Sequence, residues 1–159
     1  MSAMAVCRNS ARQTGVTLVE VVVVIAIIGI LSGMAVPSFL EFTRNQRIRA
    51  AASDLHVSLM RARSEALKRN VSVTIVPTST SNWGLGWLIA DPDGGDALEA
   101  LRGYDGVSVT GPISLTYLSS GRISGATMPS FEFSAAGSNV KRCVNADLSG
   151  RPTTKATVC

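Results

Sequence analysis

Apolar residues fall into three successive patterns along this chain. From Val16 to Val36 they run almost unbroken, interrupted only by Thr17, Glu20, Ser32 and glycines. A helix over those positions would be roughly 30 Å long, the hydrocarbon thickness of a bilayer. From Leu40 to Asn70 the period is that of an amphipathic helix, with Ile48, Ala51, Ala52, Leu55, Leu59, Ala62 and Ala66 inside an arc of about 100°. Pro37 is expected to bend or interrupt the helix where the two stretches join. After Asn70 the period drops to two: Val71, Val73 and Ile75 alternate with Ser72, Thr74 and Val76, and Pro77 is expected to stop the strand. Further strands are expected at 87–90, 107–109, 113–118, 130–134 and 140–146, between clusters of Gly, Pro, Asn, Asp and Ser. Residues 98–104 read equally as a short strand or a turn of helix. Such short connections favour antiparallel pairing. The predicted class is α+β, a long N-terminal helix whose first half can span a membrane and whose amphipathic second half packs on antiparallel sheet.

Charge then orients the apolar segment. Residues 1–15 hold Arg8 and Arg12 and no acidic residue. A basic leader stays on the cytoplasmic side, so the chain beyond Pro37 is expected across the inner membrane, in the periplasm. An ordinary secretory signal is the rival: Val21 to Leu31 has the length of its hydrophobic core, and Gly33-Met34-Ala35 offers a small-x-small cleavage site that would give a mature start at Val36. Against it stand Glu20, at the entry to the apolar run, and the helix-compatible sequence that continues towards residue 69.

Gly15, then Val16-Thr17-Leu18-Val19-Glu20, then a long apolar run with Pro37 near its end, resembles the class III signal of type IV pilins and pseudopilins. The resemblance implies that prepilin peptidase cuts between Gly15 and Val16 and methylates the amino group of Val16. Val16 stands where the family usually has phenylalanine. It further implies that Glu20, the fifth mature residue, meets the free amine of a neighbouring subunit during filament assembly. A carboxylate in an apolar helix is costly unless it is compensated, so such a pairing would also fix axial register. The implied organisation is a leader at 1–15, a transmembrane and assembly helix at 16–36 and a periplasmic pilin-like domain at 37–159. The remainder is similar to the GspH/FimT group of minor pseudopilins and minor pilins, through Ala62-Arg63-Ser64-Glu65-Ala66-Leu67-Lys68-Arg69-Asn70, Gly86-Trp87 before Asp91, Phe133 to Gly137 and Ser149-Gly150-Arg151. A subunit of that kind would pass from the inner membrane, as a single-pass protein, into a type IV pilus or a type II secretion pseudopilus. Its partners would be prepilin peptidase and other major and minor pilins or pseudopilins.

The composition argues against catalysis. Among 159 residues there is one histidine, His56, and three cysteines, so no two-His two-Cys zinc site and no site needing two histidines can form. No Walker loop, nucleophile elbow or Cys-x-x-Cys is present, and neither a catalytic set, a cofactor nor a resident metal is expected. Asp91-Pro92-Asp93-Gly94-Gly95-Asp96 gathers three carboxylates but lacks EF-hand spacing, so a solvated acidic turn is the expected reading. Cys7 lies in the leader, which leaves Cys143 and Cys159 as a pair expected to bond in an oxidising compartment; the alternative is two separate thiols.

The net charge is +4, and its placement matters more than its size. Arg44, Arg47, Arg49, Arg61, Arg63, Lys68 and Arg69 line the polar faces of the amphipathic helix, where a solvated surface is the ordinary explanation. A second group, Lys141, Arg142, Arg151 and Lys155, surrounds and occupies the loop that the cysteine pair would close. Some FimT-type members use a carboxy-terminal Gly-Arg-x-Arg stretch to bind double-stranded DNA on a competence pilus. Gly150-Arg151-Pro152 is similar to its first part, and Thr153 departs from the second arginine. Lys155 would then supply a point charge rather than a bidentate fork, and binding would be driven by the DNA backbone. A scaffold that initiates or caps a filament is thus the leading expectation, with a DNA-binding minor pilin as its alternative.

Overall fold

The structure is a computed structural model that describes residues 15–159, with the backbone alone at 34–37. It divides into two compact units at Ser38/Phe39. The helical assignment α1 covers Leu18–Arg69 and continues through Pro37 without a break. Of the two expectations for Pro37, a bend or an interruption, the helical assignment therefore shows no interruption. A proline removes one i→i−4 hydrogen bond, and the turns on either side keep theirs.

In the first unit every described apolar side chain of the helix is exposed, and the most apolar window has a mean hydropathy of 2.6 with none of it buried. A helix that is apolar on all sides has no face for water and is long enough to cross a bilayer.

In the second unit α1 presents the expected stripe to a core. Ile48, Ala51, Ala52, Leu55, Leu59, Ala62 and Ala66 are all buried. The alanines keep the helix surface low, so bulky sheet residues can approach it closely. Lys68 and Arg69 lie in the last turn, where positive charge complements the carbonyl end of the helix dipole. Asn70 then takes a left-handed conformation, φ 54°, and ends the helix.

Eight strands follow: β1 (Val73–Ser79), β2 (Asn82–Ile89), β3 (Glu99–Arg102), β4 (Val107–Thr110), β5 (Leu115–Tyr117), β6 (Ser130–Ala135), β7 (Arg142–Ala146) and β8 (Pro152–Lys155). They form two four-stranded sheets, β3-β2-β1-β5 and β4-β6-β7-β8, with every neighbouring pair antiparallel. Val73, Ile75, Trp87, Ile89, Leu115 and Tyr117 form the inner face of the first sheet. Phe131, Phe133, Val144 and Ala146 form that of the second. Trp83 joins the two sheets, with its ring edge-on to Phe131 at 4.8 Å and its Nε1 donating to the Pro112 carbonyl at 2.6 Å.

Two sequence expectations change and one open reading closes. Pro77 does not stop β1, which reaches Ser79 across a register shift. The Thr74 carbonyl accepts from the Ala90 amide, so even-numbered residues of β1 bond to β2, and Pro77 faces the β5 side, where pairing ends at Ile75↔Leu115. A proline there removes no ladder bond. Of the residues that read equally as strand or helix, Glu99–Arg102 form strand β3, paired to β2 from Gly86↔Arg102 to Ile89↔Glu99. The segment after Arg151, read as a basic loop, is instead the edge strand β8, whose Thr153 and Thr154 suit a pleated surface.

Candidate functional site

At the amino-terminal end, Gly15 and Val16 are exposed and precede the helix. Thr17 caps it: its Oγ1 accepts from the Glu20 amide at 3.3 Å, and its carbonyl accepts from the Val21 amide at 3.3 Å. Thr17-x-x-Glu20 is a capping-box spacing, a signal present in the sequence. The Glu20 carboxylate therefore sits in the first turn, which favours negative charge, and it is exposed among Val16, Leu18 and Val19. The expectations for residues 1–14, including Arg8, Arg12 and Cys7, lie outside the described residues.

At the carboxy-terminal end, the Sγ atoms of Cys143 and Cys159 are 2.12 Å apart with their Cα atoms at 5.1 Å. The bridge ties the terminus beyond β8 back to β7. It does not gather the four basic residues proposed around it. Lys155 pairs with Cys143 in the β7–β8 register and lines a cleft with Asn145, Thr157 and Cys159. Lys141 is ion-paired to Glu132 at 2.9 Å. Arg142 lies on the α1 side instead, in a cleft with Arg49, His56 and Thr154, and Arg151 shares a neighbouring cleft with His56, Met60 and Arg63. Strand alternation causes the division, because successive side chains point to opposite faces.

The grouping that forms instead lies between α1 and β8. Arg49, His56 and Arg63 recur every seventh residue and so project from one side of the helix. Arg63 is held by backbone carbonyls, its Nε donating to Gly121 and its Nη2 to Ser149, both at 3.1 Å. His56 Nδ1 lies 3.1 Å from the Thr154 hydroxyl. Below Arg151, Asp147 Oδ1 accepts from the Ser149 hydroxyl at 2.6 Å and the Arg151 amide at 2.9 Å. The Ser149 bond first, then the Arg151 amide, hold the Asp147 carboxyl below the ordinary aspartate value. The seven-residue spacing was readable in the sequence. Its meeting with Arg142 and Arg151 was not, because that depends on where β7 and β8 pack.

The acidic loop is occupied from within. Arg69 Nη1 reaches Asp91 Oδ1 at 3.0 Å and Asp93 Oδ2 at 3.2 Å, while its Nε meets Glu65 Oε2 at 3.1 Å. The Arg69 bond lowers the Glu65 carboxyl, and the Glu65 bond raises the Arg69 guanidinium. Among the described residues, no group of three or more His, Cys, Asp or Glu is placed to hold a metal ion.

Comparison with known proteins agrees with this architecture. Residues 51–150 match the family described as type II transport protein GspH, and residues 10–36 match the prokaryotic N-terminal methylation motif. A fimbrial protein of Pseudomonas aeruginosa is 27% identical over 97 residues, covering 59% of this chain and 63% of that protein. The chain thus spans somewhat under two thirds of that relative's length. The type IV major pilin protein PilA of Myxococcus xanthus is 40% identical over 52 residues, 33% of this chain and 24% of PilA. In fold, the type IV minor pilin FimU of Pseudomonas aeruginosa superposes with a TM-score of 0.63 at 23% identity, covering 72% of this chain and 92% of FimU. The minor pseudopilin EpsH of the Vibrio cholerae type 2 secretion system gives 0.54 at 17% identity, covering 69% of this chain and 97% of EpsH. With the family match spanning most of the folded unit and the methylation motif spanning the apolar segment, the chain belongs to the family of type II transport protein GspH and carries a prokaryotic N-terminal methylation motif.

Proposed function

We propose that this protein is a minor filament subunit that initiates or caps a type IV pilus or a type II secretion pseudopilus. Prepilin peptidase cuts between Gly15 and Val16 and methylates Val16. Residues 16–36 then hold the chain in the inner membrane as a single span, with residues 37–159 in the periplasm, until assembly with other pilins. The observation that carries this reading is the capped, all-apolar helical segment that begins just after Gly15 and bears one carboxylate, Glu20, in its first turn. Glu20 would meet the amine of a neighbouring subunit, which removes the penalty of an uncompensated charge in an apolar bundle.

Mass spectrometry of the protein from its native membrane tests the first step. The expected mature chain starts at N-methylated Val16, and a Gly15→Asp variant stays at precursor length; a start at Val36 overturns the reading. Glu20→Ala is expected to be processed normally yet to appear in sheared filaments at a small fraction of the wild-type level. Wild-type incorporation of that variant would remove Glu20 from assembly. A DNA receptor is the second reading. Arg151 is exposed and suits a phosphate, but the reading loses Lys141 to Glu132 and has Lys155 on another face.

A further inference from the structure

The basic residues of the folded unit differ in whether a carboxylate lies near them. Arg61, Lys68, Arg69 and Lys141 each have a carboxylate within ion-pair distance. Arg49, Arg63, Arg142 and Arg151 have none among the described residues, and they converge on two adjoining clefts, of about 380 and 230 Å³, that share His56. Arg44, Arg47, Arg102, Arg122 and Lys155 also have none among the described residues, but they line neither cleft. No carboxylate lines either cleft. Like charges gathered in a groove repel one another, and the low-dielectric walls raise their joint attraction for an anion.

The shape of the groove narrows the choice of anion. Its helix wall runs from Arg49 to Leu67, about 27 Å at the helical rise, which is the length of about eight residues of extended chain. Met60 and Leu67 lie along that wall, 55% and 51% exposed. The opposite wall is β8, the edge of its sheet, with no strand on its outer side among the described residues. A surface for duplex DNA is polar and wet, and single-stranded bases need aromatic faces to stack on. This groove offers Met60, Leu67 and Pro152 beside its arginines, and among the described residues His56 but no Phe, Tyr or Trp ring lines it.

We propose that the α1–β8 groove docks an extended acidic segment of another protein subunit. Its carboxylates sit on Arg49, Arg142 and Arg151, its apolar side chains cover Met60 and Leu67, and its backbone runs beside the open edge of β8. The inference rests on the assembly reading only for where the segment comes from, namely a neighbouring subunit in the filament.

The test uses the full chain in detergent micelles and a fluorescein-labelled peptide of four Glu-Val repeats, read by anisotropy at physiological salt. A Gln-Val peptide of the same length and a labelled DNA duplex are the comparisons. The acidic peptide is expected to bind about tenfold or more tightly than its amide counterpart, as charge-assisted hydrogen bonds require. The combined Arg49→Gln, Arg142→Gln and Arg151→Gln variant should lose about that factor with a melting temperature no lower than that of the parent, since among the described residues none of the three side chains makes a hydrogen bond or ion pair and their mutual repulsion is relieved. A control variant, Arg44→Gln, Arg102→Gln and Arg122→Gln, sheds the same charge outside both clefts and β8 and should bind as wild type. Equal affinity for the two peptides, an equal loss in the control variant, or tighter binding of the duplex than of the acidic peptide each overturns the proposal. Failure here leaves the processing and Glu20 experiments untouched, so the two readings fail separately.

Discussion

Ser58 lies on the buried side of α1 among alanines and leucines, and its hydroxyl accepts from Trp87 Nε1 at 3.0 Å. The indole is buried as well, so that bond is the means by which β2 keeps a polar atom inside the core. Ser58→Ala removes the acceptor and leaves the N–H without a partner, which costs about 1–3 kcal/mol. Adding Trp87→Phe removes the stranded donor, so the double variant should lose less than the two single losses combined. Denaturant midpoints on the four proteins of that cycle measure the coupling, and strict additivity would refute the pairing. Single residues divide sharply in how readable they were. The stripe from Ile48 to Ala66 follows from helical periodicity, and each of its positions is buried. Ser58 shows no role until Trp87, 29 positions away, is brought against it.

Elements were legible wherever local pattern decides them, and obscured wherever a neighbour does. The helix, the switch to strands at Asn70 and most strand centres follow from spacing. Strand ends do not: Pro77 looks like a terminator until the free side of β1 is known. β8 was hidden by its charge, because Arg151 and Lys155 drew attention from the two β-branched residues that make the strand. This four-residue edge strand depends on β7 and on the Cys143–Cys159 bridge that closes the chain beyond it. Replacing both cysteines by serine is expected to lower stability by about 3 kcal/mol, the loop-closure value for a loop of this size. The opening should be local: amides of Thr153 and Lys155, which bond to β7, should exchange much faster, while those of β1 follow the global change. Uniform acceleration across both sheets would mean that β8 folds only with the whole domain.

Across the folded unit, the acids are mostly engaged and a share of the bases is not, and this gives acid pH a defined effect. Glu65 is held below its ordinary value chiefly by its bond to Arg69, and Asp147 chiefly by its bond from Ser149. For such groups the unfolded chain binds the proton first, so their contribution is complete above the ordinary carboxylate values, near pH 4, and is lost as pH falls through the lower folded values. Protonation also adds positive charge while the arginines of the α1–β8 groove still lack counter-ions, so repulsion acts in the same direction. The melting temperature should therefore hold steady near neutrality and fall as pH drops below the ordinary carboxylate values, about pH 4. Glu65→Gln with Asp147→Asn should start lower at neutral pH and decline less on acidification, since the groups that titrate are gone. Both carboxylates are near the surface, so raised salt should shrink the difference between the two curves. If the variant falls as steeply as the parent, the acid sensitivity belongs to other carboxylates, and these two bonds fix local geometry without coupling the fold to pH.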